Sequence, residues 1–268
     1  MDHTFVQEIN GRSLETADLP LMMALSYGHF TSMQIRNRQV KGLRLHLDRL
    51  QKSSDKLFGC HLPDDKIIAY LKNIIGENES CTIRINIFTP DYQRPGIYEN
   101  DLYVLITKKP PVEPAVAPLQ VMTARFQRLM PDVKYSGILS GILAYQREAR
   151  AAGYDDVLYV NQHQHISEGS VWNIGFYDGH SVILPAAPAL PGIMIQLLTE
   201  GLWNTGVPVI HRNILLSQLN EYKAAFYTNS IHHRGIITRI NQHQFDKDPS
   251  ALTSLLDRTY DVIPWDQL

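Results

Sequence analysis

Four prolines crowd into one short stretch of the chain, at Pro110, Pro111, Pro114 and Pro118. Each fixes its own φ, offers no backbone N–H and restricts the residue before it, so the stretch can be neither helix interior nor central strand. The chain is thereby split into parts that must each close a core of their own. The expected division is an N-terminal domain over 1–109, a linker over 110–118 and a C-terminal domain over 119–268. A chain of 268 residues is long enough for two such domains.

Both parts mix strands with helices. Asn10-Gly11 is a hairpin dipeptide between Phe5–Ile9 and Gly11–Leu14, and Phe30–Ile35 reads as a strand with a turn at Asn37-Arg38-Gln39. Leu43, Leu47, Leu50, Ser54 and Leu57 recur at helical spacing up to Gly59, and a second helix runs from Asp64 to Ile75. Ile83, Ile85 and Ile87 alternate with Thr82, Arg84 and Asn86, which puts Arg84 on the polar face of a half-buried strand. Leu102–Ile106 is its expected antiparallel partner. Beyond the prolines, strands are expected at 119–125, 157–160, 165–168, 172–177, 181–184 and 224–228. Between and after them come helices following Lys134, from Ile193 to about Trp203, and from Ser250. In the first of these Ile138, Ile142, Leu143, Ala149 and Ala152 lie close to one face. The fold class is α+β or mixed α/β, in two domains.

Charge and cysteine usage narrow the function. Lys plus Arg number 25 and Asp plus Glu 27, a net charge of −2 without the basic excess of a nucleic-acid binder. Cys60 and Cys81 cannot build a disulfide framework, which points to a reducing, cytoplasmic setting. The N-terminus lacks the apolar core of a signal peptide. The charge-free run Ser181–Thr199 is broken by Pro185, Pro188, Pro191 and Gly192, so no membrane span is expected. No P-loop, dinucleotide-binding, nucleophile-elbow or H-E-x-x-H motif occurs. His163 and His165 have no carboxylate or thiol ligands near them in sequence, so no metal site is expected.

Three features carry chemistry when taken together. Lys134 stands just before an expected helix start, where the dipole disfavours a cation; a partly neutral amine can form a Schiff base with a carbonyl cofactor. Leu190-Pro191-Gly192-Ile193-Met194 opens a helix with no acidic residue in its first turn, a natural phosphate site. Glu168 is a lone carboxylate at a strand end beside small residues, suited to face a pyridine nitrogen and keep it protonated. Each alone also fits an ordinary surface lysine, loop-to-helix junction or turn glutamate.

The ordered segments settle how these features belong together. They are Tyr27-Gly28 with Phe30, His46-Leu47-Asp48-Arg49-Leu50, Lys134, Gly153-Tyr154-Asp155-Asp156-Val157-Leu158, Ile166-Ser167-Glu168-Gly169-Ser170-Val171-Trp172-Asn173 and Leu190-Pro191-Gly192-Ile193. In this order the set resembles the class IV aminotransferase family, pyridoxal-phosphate enzymes of fold type IV. That family includes branched-chain and D-amino-acid aminotransferases and aminodeoxychorismate lyases. The likeness runs from about Ile9 to Ile237.

The resemblance implies an N-terminal α/β domain, a C-terminal barrel-like domain, and a homodimer with its sites near the subunit interface. It implies that Lys134 holds pyridoxal 5'-phosphate and moves protons, and that Glu168 partners the pyridine nitrogen. Arg49, the Ile193 and Met194 backbone amides and the Ser230 hydroxyl would hold the phosphate, and Tyr27 would lie near the substrate. Four positions depart from the family. Leu139 stands where branched-chain members usually carry tyrosine, Gln34 where many carry arginine, and Met194-Ile195 where a hydroxyl and an arginine are usual. Recognition of a substrate carboxylate then falls to Arg84 or Arg234. The first expectation is a 4-amino-4-deoxychorismate lyase of folate biosynthesis, releasing pyruvate and 4-aminobenzoate from a small-molecule amino substrate. The alternatives are a branched-chain or D-amino-acid type aminotransferase, or a non-catalytic binding protein on the same fold; Lys134, Glu168 and Arg49 together speak against the last.

Overall fold

The computed structural model describes residues 5–76, 80–94, 96–113, 117–245 and 248–268. It falls into two compact units, one of Met1–Glu113, Val133–Ile138 and Trp265–Leu268, the other of Pro114–Asp132 and Leu139–Pro264. The first passage between units thus lies inside the proline-rich stretch, of which residues 114–116 are outside the described set. The chain then returns to the first unit for Val133–Ile138, the segment that carries Lys134.

In the first unit Asn10 and Gly11 both take positive φ, 49° and 78°, to join β1 (Val6–Ile9) to β2 (Arg12–Ser13). After the short α1 (Leu19–Met22) come β3 (Gly28–Ile35), β4 (Gln39–Val40), α2 (Leu43–Phe58), α3 (Asp64–Ile75), β5 (Cys81–Phe88) and β6 (Tyr103–Lys109). The sheet order is β2-β1-β6-β5-β3, antiparallel throughout. Period-two alternation turns Met33, Ile35, Ile83 and Ile85 toward Leu47, Leu50, Ile67 and Leu71 of α2 and α3, and these form the core. Asp64 and Asp65 complement the α3 dipole in its first turn. The start of α2 is served from far along the chain: the Leu43 N–H donates to Asp266 Oδ2 at 2.8 Å.

The second unit contains β7 (Leu119–Arg125), α4 (Leu139–Ala151), β8 (Asp156–Val160), β9 (Ile166–Gly169), β10 (Asn173–Tyr177) and β11 (Val182–Pro185). They are followed by α5 (Ile193–Asn204), β12 (Val209–Arg212), β13 (Ala224–Thr228), β14 (Gly235–Ile240), β15 (His243–Gln244) and α6 (Ser250–Val262). The strands run β12-β11-β10-β13-β14-β7-β8-β9, and β9 pairs back onto β10 through Glu168 and Asn173. Strands β10, β13, β14, β7, β8 and β9 thereby close into a barrel. The parallel pairs β7–β8 and β11–β12 need crossovers, and α4 and α5 supply them. Val121, Leu158, Ile174, Phe176, Ala225 and Ile237 belong to the unit's main core.

The helix after Lys134 departs from the expected face. Ile142 and Ala149 are buried, but Leu143 is 52% exposed and Leu139 51%. Ile138 lies in the segment assigned to the first unit, so the helix packs on a narrower stripe than its spacing predicts. Among the described residues no helix is long and apolar enough to cross a membrane.

Candidate active site

In the first unit, strand alternation decides which polar side chains meet. The β3–β5 face opposite the helices carries Phe30, Gln34, Thr82, Arg84 and Asn86. Phe30 pairs with Asn86 and Ser32 with Arg84, so Arg84 lies diagonally across from Phe30; its guanidinium carbon is 3.7 Å from the ring centre. The Lys134 Nζ is 4.9 Å from the same centre. The Phe30 N–H donates to the Lys134 carbonyl at 2.9 Å, and His29 and Tyr135 form an antiparallel bridge. Lys134 therefore sits along the edge of β3. The 3-10 turn Ser136–Ile138 separates it from α4, so a helix dipole does not account for its chemistry.

Arg84 Nε donates to Asn86 Oδ1 at 3.1 Å, and Asn86 Nδ2 donates to Ser136 Oγ at 3.3 Å. Burial lowers the Arg84 pKa from its ordinary value, and among the described residues no carboxylate pairs with it. Gln34 has a different task from an arginine: its Oε1 accepts from Thr82 Oγ1 at 3.1 Å and the Val112 N–H at 3.3 Å, anchoring the segment that leaves β6.

Arg49 is half-buried on α2, one turn after His46. His46 Nδ1 is 2.7 Å from Thr31 Oγ1, and His29 Nε2 is 2.8 Å from Ser54 Oγ, which ties α2 to β3. Burial pushes both histidines down to about 3, aided at His46 by the Arg49 charge. The Tyr27 hydroxyl donates to the Leu57 carbonyl at 2.8 Å, and its ring meets Phe58 edge-on, so that hydroxyl is engaged at the end of α2.

In the second unit Glu168 stands at the barrel seam. Its Oε1 accepts from Arg128 Nε at 2.5 Å and its Oε2 from the Leu190 N–H at 3.3 Å, while Asn173 Nδ2 donates to the Leu190 carbonyl at 2.8 Å. The seam thereby fixes the loop leading into α5. Gly192 precedes that helix because a Cβ there would fall 1.8 Å from Asn173 Oδ1. The α5 first turn has no acidic residue, and its start makes no side-chain cap hydrogen bond. Asp156 braces the chain just past Glu168: its Oδ2 accepts from Ser170 Oγ at 2.7 Å and Trp172 Nε1 at 2.9 Å. Ile195 lines a cavity of about 460 Å³ together with Ile174, Leu184 and Trp203.

Ser230 lies in the β13–β14 loop, shaped by Asn229 Oδ1, which accepts from the N–H groups of Ile231 and His232 at 2.9 Å each. Farther along the same loop Arg234 Nε is 2.5 Å from Asp257 of α6. His233 bonds Asp257 at 2.8 Å and stacks on Tyr260 at 4.1 Å, so this end of the loop is clamped to the helix. Among the described residues no cluster of three or more His, Cys, Asp or Glu could hold a metal.

The structure thus brings Lys134 and Arg84 to one ring in the first unit. In the second it gathers Glu168 and the α5 start around Leu190, and gives Arg234 a carboxylate of its own. Sequence reasoning missed Arg128, whose place beside Glu168 has no local signature.

Comparison with known proteins decides the family. The amino-transferase class IV pattern matches residues 28–240. The chain belongs to the class IV aminotransferases. Like its family, it is a pyridoxal-phosphate-dependent enzyme. A curated Rickettsia felis protein, named a probable branched-chain-amino-acid aminotransferase, is 27% identical over 215 residues, covering 75% of this chain and 73% of its own. The branched-chain amino acid aminotransferase of Escherichia coli superposes with a TM-score of 0.83 at 18% identity, covering 98% of each chain. A Legionella pneumophila protein assigned as a 4-amino-4-deoxychorismate lyase gives 0.77 at 16% identity, covering 90% of this chain and 92% of its own. These superpositions show the fold that the class IV aminotransferases share. The residue types in each unit suit such a cofactor: in the first a half-buried lysine, and in the second a buried carboxylate paired with Arg128 and a helix start that a glycine opens and no acid blocks.

Proposed function

We propose that this class IV enzyme is an amino-acid aminotransferase whose substrate brings its amine to the cofactor at Lys134 and a carboxylate to Arg84. The observation that carries the reading is the shared ring of Phe30, with the Arg84 guanidinium 3.7 Å and the Lys134 amine 4.9 Å from its centre. A partly desolvated guanidinium without a carboxylate partner is a receptor for one. Arg234 already has Asp257, which is why Arg84 is preferred to it. The curated relatives named as branched-chain-amino-acid aminotransferases favour an amino-acid substrate.

The remaining roles follow from chemistry at each position. Lys134 takes a proton from the substrate carbon and returns it, acting as general base and then general acid. Glu168 faces the ring nitrogen, and Arg49, the Ile193 and Met194 N–H groups and the Ser230 hydroxyl hold the phosphate. Tyr27 borders the substrate through its ring, since its hydroxyl is engaged by Leu57. Pyridoxal phosphate, when bound, supplies an aldehyde that condenses with amines and a ring that withdraws electrons. The working assembly is a homodimer, supported by Leu139 and Leu143, exposed one turn apart on α4. We assign it to the cytoplasm on its two cysteines.

The reading as a 4-amino-4-deoxychorismate lyase has one observation in its favour. Leu139, at the first position of α4, offers no phenol where branched-chain members usually have one. The test is a substrate panel on the cofactor-loaded protein. An aminotransferase converts an amino acid only when a keto-acid acceptor is present. Pyruvate release from aminodeoxychorismate without an acceptor would establish the lyase instead.

A further inference from the structure

The loop after β7 reverses the usual rule of burial. Leu129 is 86% exposed, while its neighbour Arg128 is 5% exposed. A loop normally does the opposite, so something beneath it must hold the cation. That partner is Glu168, 4% exposed, whose Oε1 accepts from Arg128 Nε at 2.5 Å.

A local irregularity aims Glu168. Between β8 and β9, Leu158 pairs with Gly169 and Val160 with Ile166, so Tyr159 alone opposes both Ser167 and Glu168. Such a bulge re-aims one side chain without ending the sheet. Two further ionisable groups on β8, the strand beside β9, do not supply a cation. Asp156 is an acid occupied by Ser170 and Trp172, and Tyr159 is a phenol that burial keeps protonated. Arg128 approaches through Nε, and the Leu190 N–H takes Oε2.

We propose that Arg128 is a positioning residue that holds Glu168 ionised, so that the proton shared between this carboxylate and the cofactor's ring nitrogen rests on the nitrogen. The inference builds on the assignment of Glu168 to that nitrogen. No covalent bond changes except the place of one proton. A buried carboxylate deprived of its cation gains proton affinity, and the proton then moves from nitrogen to oxygen. Arg128 needs no contact with substrate to act in this way.

The experiment loads the full chain with pyridoxal phosphate carrying ¹⁵N in the ring and reads the nitrogen shift by NMR. The wild type should show a protonated nitrogen. Arg128→Gln, which keeps an N–H donor but loses the charge, should move the signal to the unprotonated position, as should Glu168→Gln. Arg128→Lys should restore the protonated signal. A protonated nitrogen in folded Arg128→Gln would overturn the proposal. Should that variant fail to fold, Arg128→Lys decides, and an unprotonated nitrogen there overturns it equally. Borohydride trapping on Lys134, run on the same wild-type sample, separates the two levels. An adduct with an unprotonated wild-type nitrogen overturns the Glu168 assignment and this proposal with it, while loss of the adduct overturns the cofactor reading itself.

Discussion

In the first unit the buried polar side chains that join α2 to β3 are neutral, His29 with Ser54 and His46 with Thr31, whereas the second unit buries a full charge pair, Arg128 with Glu168. The neutral pairs use one hydrogen bond each and leave the imidazoles uncharged, a modest cost for locking a helix to a sheet. Burying two ions costs far more, and well-packed apolar side chains would often serve stability as well. The charged pair stands at the barrel seam, bonded to the loop that opens α5; the neutral pairs lie beneath the helix that carries Arg49. The contrast teaches where to look for chemistry. Neutral buried pairs hold the scaffold, and the ionised one marks the place where a charge has work to do.

That contrast can be broken at several points. Lys134→Ala should lower turnover by about a thousandfold or more while circular dichroism and melting stay close to wild type, since its backbone carbonyl, which the substitution keeps, bonds the Phe30 N–H of β3. Wild-type turnover in that variant would remove Lys134 from the chemistry. Arg128→Met should cost about 3–5 kcal/mol in urea unfolding, because it strands a buried carboxylate, and adding Glu168→Gln should recover most of the loss. A loss below about 1 kcal/mol would show that the pair is no more than a surface contact.

The neutral pairs predict an acid response with a definite sign. His29 and His46 are held at about 3 against an ordinary 6.5, so below pH 6.5 the unfolded chain binds protons that the folded one refuses. Their contribution is full above pH 6.5 and shrinks as the pH falls from there toward 3. By pH 5 the loss should reach about 2 kcal/mol per histidine. Hydrogen exchange across this range should show β3 and α2 losing protection; unchanged protection down to pH 5 would contradict the burial of these rings. The smallest effect belongs to Ser54→Ala, about 1–2 kcal/mol from leaving the His29 Nε2 without its partner, read as a shift in the urea midpoint.

Elements with punctuated ends were legible from residues alone. Helix α3 spans Asp64–Ile75 between Pro63 and Gly76, and β5 and β7 occupy Cys81–Phe88 and Leu119–Arg125 as their spacing predicts. Strand β14 was not, because Gly-Ile-Ile-Thr-Arg-Ile shows no alternation; one of its neighbours, β7, comes from distant sequence. Strand β12 is likewise defined by its parallel pairing with β11. Closure of the barrel also needs β14 beside β7, Ile237 against Leu119, a long-range event that no local window contains. The site divides in the same way. Glu168 and the α5 start could be singled out as residue types in telling places; Lys134 was singled out by a helix start that the turn Ser136–Ile138 parts from it, and Arg128 reads in sequence as one more solvated loop arginine. Its burial follows from the seam, not from its neighbours.

The central claim is that the amine of Lys134 carries the vitamin-derived cofactor. Saturating the folded protein with pyridoxal phosphate, reducing with borohydride and mapping the peptides by mass spectrometry tests it in one step. A single phosphopyridoxyl group on the peptide containing Lys134 is the predicted result; an unmodified Lys134 in saturated, folded protein would contradict the account.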